Sequence, residues 1–275
     1  MDIASPQPIE RLNAGAEPAF HKRWNGWTVL WVFCTLVFLF VLVQTFATVA
    51  WLYLKFPDVL LAAQRGNVGP LQALLTPAGL AKVLTPMGFL AILGTTTLIM
   101  VPATLGLARV ALGASLGDLG FGRTLRGSTA LKAIGAGAIL FLLSIVLELF
   151  QDKIFGPHPQ QVALILAKHH GVIAILLDLL SAAVLAPLFE ETLFRGVLFT
   201  ALVQRMRLPV AATLSGFAFG VAHLDKYNFV LLAIIGFGLA YVYYRSGNIW
   251  ANIVTHATFN SLGLTLPLIF PQLNN

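Results

Sequence analysis

Long apolar stretches, separated by short polar segments, dominate the sequence. The stretch from Trp27 to Leu54 is one example, and crossing a bilayer as a helix takes about 20 such residues. Only 10% of the residues are charged and the mean hydropathy is +0.84, whereas soluble domains carry roughly a quarter charged residues. Segments of about ten residues with alternating polarity, which build membrane β-barrels, are not visible. The sequence therefore predicts an all-α fold, a polytopic bundle of membrane-spanning helices.

Eight apolar segments qualify as predicted membrane spans. They cover residues 27–54, 87–112, 130–150, 172–189, 192–206, 208–224, 227–245 and 248–270. The fourth and fifth can also form one long helix bent at Pro187, so we expect seven to eight transmembrane helices around an interior cavity. Residues 55–86 contain four prolines, which break helices, and are expected to form a loop with short interfacial helices.

Three regions follow from this pattern. Residues 1–26 are polar, contain three prolines and are expected to form a disordered tail. Residues 27–129 form an N-terminal membrane region with two spans and loops, and residues 130–275 form a helical membrane core. The first apolar stretch exceeds the roughly 7–15 residues of a signal-peptide core, so we expect it to remain as the first span. Seven basic residues in the inner segments against five in the outer loops favour an N-terminus on the inner side.

The positive charge of the chain also bears on its partners. The net charge is +6 and the pI is about 9.7, but the basic residues lie between the apolar stretches. No basic patch alternates with exposed aromatic residues, so the charge reflects membrane topology and no nucleic-acid partner is expected. The single cysteine, Cys34, leaves no disulfide framework and no CxxC metal site.

Residues 189–196, FEETLFRG, place three charged side chains between apolar stretches. A charge at the bilayer centre costs about 2.5 kcal/mol or more, so these groups should face a polar cavity and one another. Glu191 and Arg195 are four residues apart and share a helix face, which predicts an ion pair. Glu190 points about 100° away and has no local partner, which suits a general base. The alternative is that all three lie at a water-exposed helix end.

Two further stretches bring histidines to membrane helices. In FGVAH, residues 219–223, Phe219 and His223 share a helix face; taken alone, His223 is more typical of an interfacial histidine. In HATFN, residues 256–260, His256 and Asn260 lie on one face of an otherwise apolar helix, together with Asn252. Interhelical hydrogen bonding is a common use of Asn and His in membranes. We favour that interpretation, or a role at the helix start, for Asn252, and a functional role for His256 and Asn260.

Two carboxylates, two histidines and an asparagine at membrane depth fit a hydrolytic reaction. A carboxylate can activate water, and hydrogen-bond donors can stabilise the oxyanion of a tetrahedral intermediate. The sequence has no HExxH, and its one match to GxSxG, which is typical of serine hydrolases, is GASLG at residues 113–117, outside the three polar motifs. A zinc site from Glu190, His223 and His256 remains open, because two histidines and one glutamate form a known catalytic ligand set.

The three motifs together resemble a known family. EETLFR matches EExxxR, FGVAH matches FxxxH and HATFN matches HxxxN, in this order on successive predicted spans. This arrangement is similar to the CPBP family of CAAX prenyl proteases and bacteriocin-processing enzymes, also called the Abi family. The resemblance covers about residues 172–265 and includes every core motif.

The resemblance implies an eight-helix intramembrane endopeptidase with its catalytic core in residues 130–275. By position, Glu190 would activate the water with assistance from His223, and His256 with Asn260 would form the oxyanion site. The family has been described both as metalloproteases and as glutamic proteases, so the implied cofactor is either none or zinc. The residues implied to support the site or bind substrate are Glu191, Arg195 and Phe219.

The implied partners are a peptide or protein substrate within the membrane and the lipid bilayer itself. The substrate could be a prenylated C-terminal peptide, a bacteriocin-like peptide or a membrane-anchored precursor. The implied location is the cytoplasmic membrane of a bacterium, with multiple passes. Two other classes stay open: a non-enzymatic immunity or peptide-binding protein, and a transporter with Glu190 as a proton site. Transporters often contain repeated halves, and none is visible.

Overall fold

The computed structural model describes residues 23–269, and every regular element in that range is a helix. The predicted all-α membrane bundle is therefore confirmed, while most of the predicted polar tail, residues 1–22, lies outside the described residues. The helices are α1 Gly26–Lys55, α2 Pro57–Gln64, α3 Gly69–Leu74, α4 Pro77–Val83, α5 Pro86–Leu112, α6 Gly127–Phe155, α7 Gln161–Leu166, α8 Val172–Val203, α9 Leu208–Ala222, α10 Phe229–Ser246 and α11 Ile249–Ile269.

Five helices are long and apolar enough to cross a membrane: α1, α5, α6, α8 and α10. The apolar α9 is shorter, and α11 has 21 residues but carries a polar line that lowers its hydropathy. The segments predicted separately at 172–189 and 192–206 form the single helix α8. Among residues 23–269, five helices therefore have the length and hydropathy of a membrane span, fewer than the seven to eight predicted. The other two predicted spans correspond to the shorter α9 and the more polar α11.

Local sequence signals set the helix starts in the first half of the chain. Asn25 precedes α1, and its side-chain oxygen accepts from the backbone N–H groups of the second and third residues beyond it. Thr76 and Thr85 play the same part before α4 and α5, each followed by a proline at the first helical position. These are favourable N-cap residues. As predicted, residues 55–86 contain short helices, α2 to α4, instead of a span.

Helix α8 lies at the centre of the bundle. It packs against α1, α5, α9, α10 and α11. Helices α9 and α10 make the most extensive helix pair, and glycines let their backbones approach closely: a Cβ added at Gly236 would lie 2.9 Å from the Cα of Gly216. Small residues at such contacts are typical of membrane helix pairs. The residues of α8 thus face these five helices.

Two π-helical segments interrupt the α-helical geometry of α8, at Leu180–Leu185 and Thr192–Phe199. Between them lies Ala186–Glu191, which contains Pro187 and both glutamates. A π-turn adds one residue to a helical turn, and such turns are frequent at functional sites. The two interruptions set the direction in which the charged side chains of α8 point.

Candidate active site

Glu191 is the fully buried centre of a polar cluster between α8 and α11. Its Oε1 atom accepts from Nη1 of Arg195 at 3.0 Å and from Nδ1 of His256 at 2.7 Å. Its Oε2 atom accepts from the side-chain amide of Asn252. A buried charge is costly unless it is paired and hydrogen-bonded, and Glu191 meets both conditions.

Arg195 is also fully buried and connects three helices. The ion pair that its four-residue spacing from Glu191 predicts is present. Its Nη2 atom donates to the carbonyl oxygen of Gly236 on α10 at 3.0 Å. Its guanidinium carbon lies 4.7 Å from the ring centroid of Phe219 on α9, in the range of a cation–π contact. Arg195 therefore supports Glu191 and holds α8 against both neighbours.

Glu190 has a different environment from the adjacent glutamate. Its side chain is 21% exposed, and its Oε2 atom lies 3.8 Å from Nε2 of His256. This distance is too long for a direct hydrogen bond. His256 is thus placed between two carboxylates: Nδ1 donates to Glu191, and Nε2 faces Glu190. Glu190 is therefore the more accessible of the two carboxylates and can bind a further hydrogen-bond donor.

Asn260 lies one turn beyond His256 on α11. Its side-chain Nδ2 donates to the carbonyl oxygen of Ala182 on α8 at 2.6 Å. Within residues 23–269, this is the one hydrogen bond of the Asn260 side chain. Both residues therefore contact α8: Asn260 contacts it before Pro187, at Ala182, and His256 contacts it after Pro187, at Glu191.

Of the other predicted site residues, the structure places His223 in contact with Phe219 and not with Glu190 or His256. Helix α9 ends at Ala222, and His223 follows as an exposed residue at its C-terminus. Its Nδ1 donates to the carbonyl oxygen of Phe219 at 2.8 Å, which satisfies one of the carbonyls that a helix end leaves open. The rings of His223 and His256 both contact Phe219, with centroid distances of 4.6 and 5.8 Å.

The arrangement does not fit the predicted zinc site. Among the residues that the structure describes, no three His, Cys, Asp or Glu side chains come close enough together to hold a metal ion. Of Glu190, His223 and His256, only the first and last approach each other. His223 instead folds back onto the carbonyl of its own helix.

Asn252 is a site residue whose part in the cluster the sequence interpretation missed. Interhelical hydrogen bonding was expected, and its amide does donate to another helix, but the acceptor is the buried carboxylate of Glu191. The start of α11 is capped by Asn248 instead, whose Oδ1 accepts from the N–H groups of Trp250 and Ala251 at 2.9 and 3.4 Å. The available signal was its position four residues before His256, on the same face.

Comparisons with known proteins point to one family. A family model described as "Type II CAAX prenyl endopeptidase Rce1-like" matches residues 172–262. The chain is 30% identical over 95 residues to the "Putative membrane peptidase YdiL" of Bacillus subtilis (strain 168), covering 34% of this chain and 39% of that protein. It is 27% identical over 143 residues to the "Uncharacterized 24.3 kDa protein" of Escherichia coli, covering 50% of this chain and 60% of that protein.

These matches span less than two thirds of the length of either relative. No solved structure matches the chain. The region that matches the family model contains Glu190, Glu191, Arg195, His223 and His256. The protein is an integral, multi-pass membrane protein, and its residues 172–262 are similar to the family of CAAX prenyl endopeptidases that this model describes.

Proposed function

We propose that this protein is an intramembrane endopeptidase of the CAAX type, in which a glutamate activates the attacking water. The observation that carries the proposal is the pair of unlike glutamates around His256. Glu191 is buried and accepts three hydrogen bonds, whereas Glu190 is partly exposed and lies 3.8 Å from the other nitrogen of the same imidazole. Such an arrangement separates a structural carboxylate from a reactive one.

In the first step Glu190 acts as general base. It takes a proton from a water molecule while the water oxygen attacks the carbonyl carbon of the scissile peptide bond. The carbonyl π bond opens and its electron pair moves to the oxygen, which gives a tetrahedral intermediate. Transfer of the proton from Glu190 to the amide nitrogen then lets the C–N bond break, which leaves a carboxylic acid and an amine. A positioned general base or acid contributes about 10²–10⁴-fold to such a reaction.

His256 and Asn260 supply the donors for the oxyanion in this proposal. Nδ1 of His256 is held by Glu191, in the way that a buried carboxylate orients a catalytic imidazole. In its doubly protonated form the imidazole also donates from Nε2. Asn260 uses one N–H of its amide on Ala182, and the second N–H is a neutral donor one turn away. Donors of this type are worth about 10²–10³ in rate.

His223 assists by exchanging protons with water. Because its Nδ1 donates to the carbonyl of Phe219, its Nε2 is the acceptor in the neutral imidazole. The residue is exposed at the end of α9, where it can relay protons between the water phase and the interior of the bundle. No step in this sequence requires a metal ion.

The proposed substrates are membrane-associated peptides, either prenylated C-terminal peptides or bacteriocin-like peptides. The family model that matches residues 172–262 describes a CAAX prenyl endopeptidase, which supports the first class. A bundle with its polar cluster between α8, α9, α10 and α11 suits a substrate that approaches from the bilayer.

The test uses full-length protein purified into lipid nanodiscs and a fluorogenic peptide that ends in a farnesylated CAAX sequence. We expect release of the C-terminal tripeptide by the wild-type protein, and none by Glu190→Gln. Glu148→Gln is the matched control, because Glu148 is an exposed glutamate on the membrane helix α6 and should leave turnover unchanged. Binding of the peptide without cleavage by the wild-type protein would instead support the alternative of a non-enzymatic immunity or peptide-binding protein.

A further inference from the structure

The backbone of α8 has a gap in its hydrogen bonding just before the glutamates. At the end of the π-helical segment Leu180–Leu185, the N–H of Ala186 donates to the carbonyl five residues earlier, that of Ser181. The next N–H in this register would belong to residue 187 and would donate to Ala182. Residue 187 is a proline, which has no N–H. The carbonyl of Ala182 therefore lacks its donor within the helix.

Asn260 fills this gap from another helix. Its Nδ2 donates to the carbonyl oxygen of Ala182 at 2.6 Å, across 78 residues of sequence. In a membrane every backbone polar group has to be satisfied within the protein, so the open carbonyl attracts a donor strongly. The same α11 helix contacts α8 on the other side of Pro187, through Asn252 and His256 on Glu191.

We infer that Pro187 is a positioning residue for the reaction: by leaving the carbonyl of Ala182 without a backbone donor, it fixes the side-chain amide of Asn260. An amide group is planar, and its two N–H bonds diverge from one nitrogen. Once one N–H is held by Ala182, the direction of the other N–H is set. The inference rests on the proposed function, in which that second N–H stabilises the oxyanion.

Pro187 acts on Asn260 through its missing N–H and not through a bend of the helix. Helix α8 continues from Val172 to Val203 through this residue. Alanine at position 187 would restore the N–H, which competes with Asn260 for the open carbonyl. Lactic acid, the α-hydroxy analogue of alanine, places an ester oxygen at the same point and restores neither the N–H nor the ring. The two replacements separate the missing donor from the shape of the proline ring.

The kinetic test compares Pro187→Ala with the lactic-acid replacement, introduced by nonsense suppression, in full-length protein. We expect Pro187→Ala to lower kcat at least tenfold with KM nearly unchanged, and to add nothing when Asn260 is already alanine, because residues acting through one contact are not additive. The lactic-acid form should keep kcat within about threefold of wild type. Pro102→Ala is the control, because Pro102 is an exposed proline inside α5, and it should keep full activity.

A spectroscopic readout tests the positioning without any peptidase activity. In protein labelled with ¹⁵N-asparagine, the side-chain amide signal that disappears in Asn260→Ala should shift in Pro187→Ala and stay in place in the lactic-acid form. An unchanged signal in Pro187→Ala, or an equal shift in the lactic-acid form, would overturn the inference. If the protein cleaves no peptide but the signals behave as expected, the proposed function fails and the positioning by Pro187 stands. If Pro187→Ala does not fold, the lactic-acid form is the test by itself, and loss of its Asn260 side-chain amide signal would overturn the inference.

Discussion

Nδ1 of His256 lies 2.7 Å from Oε1 of Glu191, although 65 residues separate them in the sequence. This hydrogen bond fixes which imidazole nitrogen faces Glu190. Asn252 holds the second oxygen of the same carboxylate from one turn earlier on α11. Glu191 is thus bound at both oxygens by one neighbouring helix, and the orientation of His256 depends on a residue that does not itself face the substrate in our proposal.

The two adjacent glutamates should separate by phenotype. Glu190→Gln removes the base but keeps the size of a partly exposed side chain, so turnover should fall by about 10²–10⁴-fold with an unchanged melting temperature. Glu191→Gln leaves Arg195 as an unpaired buried charge, which costs about 3–5 kcal/mol in soluble proteins. Kinetics and thermal unfolding in the same detergent measure both. Wild-type turnover by Glu190→Gln would reject this glutamate as the base.

Arg195→Ala should lower yield and stability as well as activity. The change removes the ion pair with Glu191, the hydrogen bond to Gly236 and the contact with Phe219. We expect a loss of about 3–5 kcal/mol in unfolding free energy. Arg195→Lys should recover little, because an ammonium group cannot make the two diverging contacts of a guanidinium. Arg207→Ala, on an exposed arginine, is the control, and equal stability of both alanine variants would refute the structural role.

Variants of Asn252 test whether activity and stability depend on its hydrogen bond to the carboxylate of Glu191. Asn252→Leu removes one donor at similar size, which should lower kcat several-fold and cost about 1–3 kcal/mol, the range for a lost hydrogen bond to a buried group. Asn252→Asp places a second carboxylate against Glu191 and should be worse in both measurements. The order of the two variants is the informative result: an aspartate variant as active as the leucine variant would mean that Asn252 does not contact Glu191.

Substitution of either histidine should lower turnover, but only that of His256 should also lower the melting temperature. His256 is buried and contacts Glu191, so His256→Ala should reduce both turnover and melting temperature. His223 is exposed at a helix end, so His223→Ala should reduce turnover and leave the melting temperature within about 1 °C, as for most surface substitutions. A large loss of stability in His223→Ala would show that His223 makes stabilising contacts with the bundle in addition to those with Phe219.

Removal of metal ions should leave activity intact. We expect this because no group of three potential ligands comes together among residues 23–269. Protein purified in the presence of a chelator and checked by elemental analysis should keep full turnover, and added zinc should not raise it. Loss of activity with the chelator, followed by recovery at one zinc per protein, would show instead that Glu190, His223 and His256 converge on a metal.

Much of the site could be predicted because helical spacing determines local geometry. Four residues separate Glu191 from Arg195, and four separate His256 from both Asn252 and Asn260, so the ion pair and the polar line on α11 follow from the period of a helix. The fold class likewise follows from the length and polarity of the apolar stretches. These inferences need no knowledge of how the helices are arranged.

The remaining features depend on packing between distant segments. Nothing in the spacing indicates that Asn252 and His256 donate their hydrogen bonds to Glu191 instead of Glu190, because that depends on the rotation of α8 relative to α11. The π-helical segments change this rotation, and the only sign of them in the sequence is Pro187, which predicts a bend. His223 was expected to join the site, but the end of α9 at Ala222 gives its imidazole a nearer partner.

The order of the cluster along the chain has a consequence for biosynthesis. Arg195 lies on the same helix as Glu191, while Asn252 and His256 follow 61 and 65 residues later. At about 5–20 residues per second, translation of the intervening segment takes roughly 3–13 s. During that interval α8 enters the lipid with its carboxylate neutralised only by its own arginine. The ion pair between Glu191 and Arg195 therefore lowers the cost of placing this carboxylate in lipid until α11 has been synthesised. Asn252 and His256 can then donate their hydrogen bonds to Glu191.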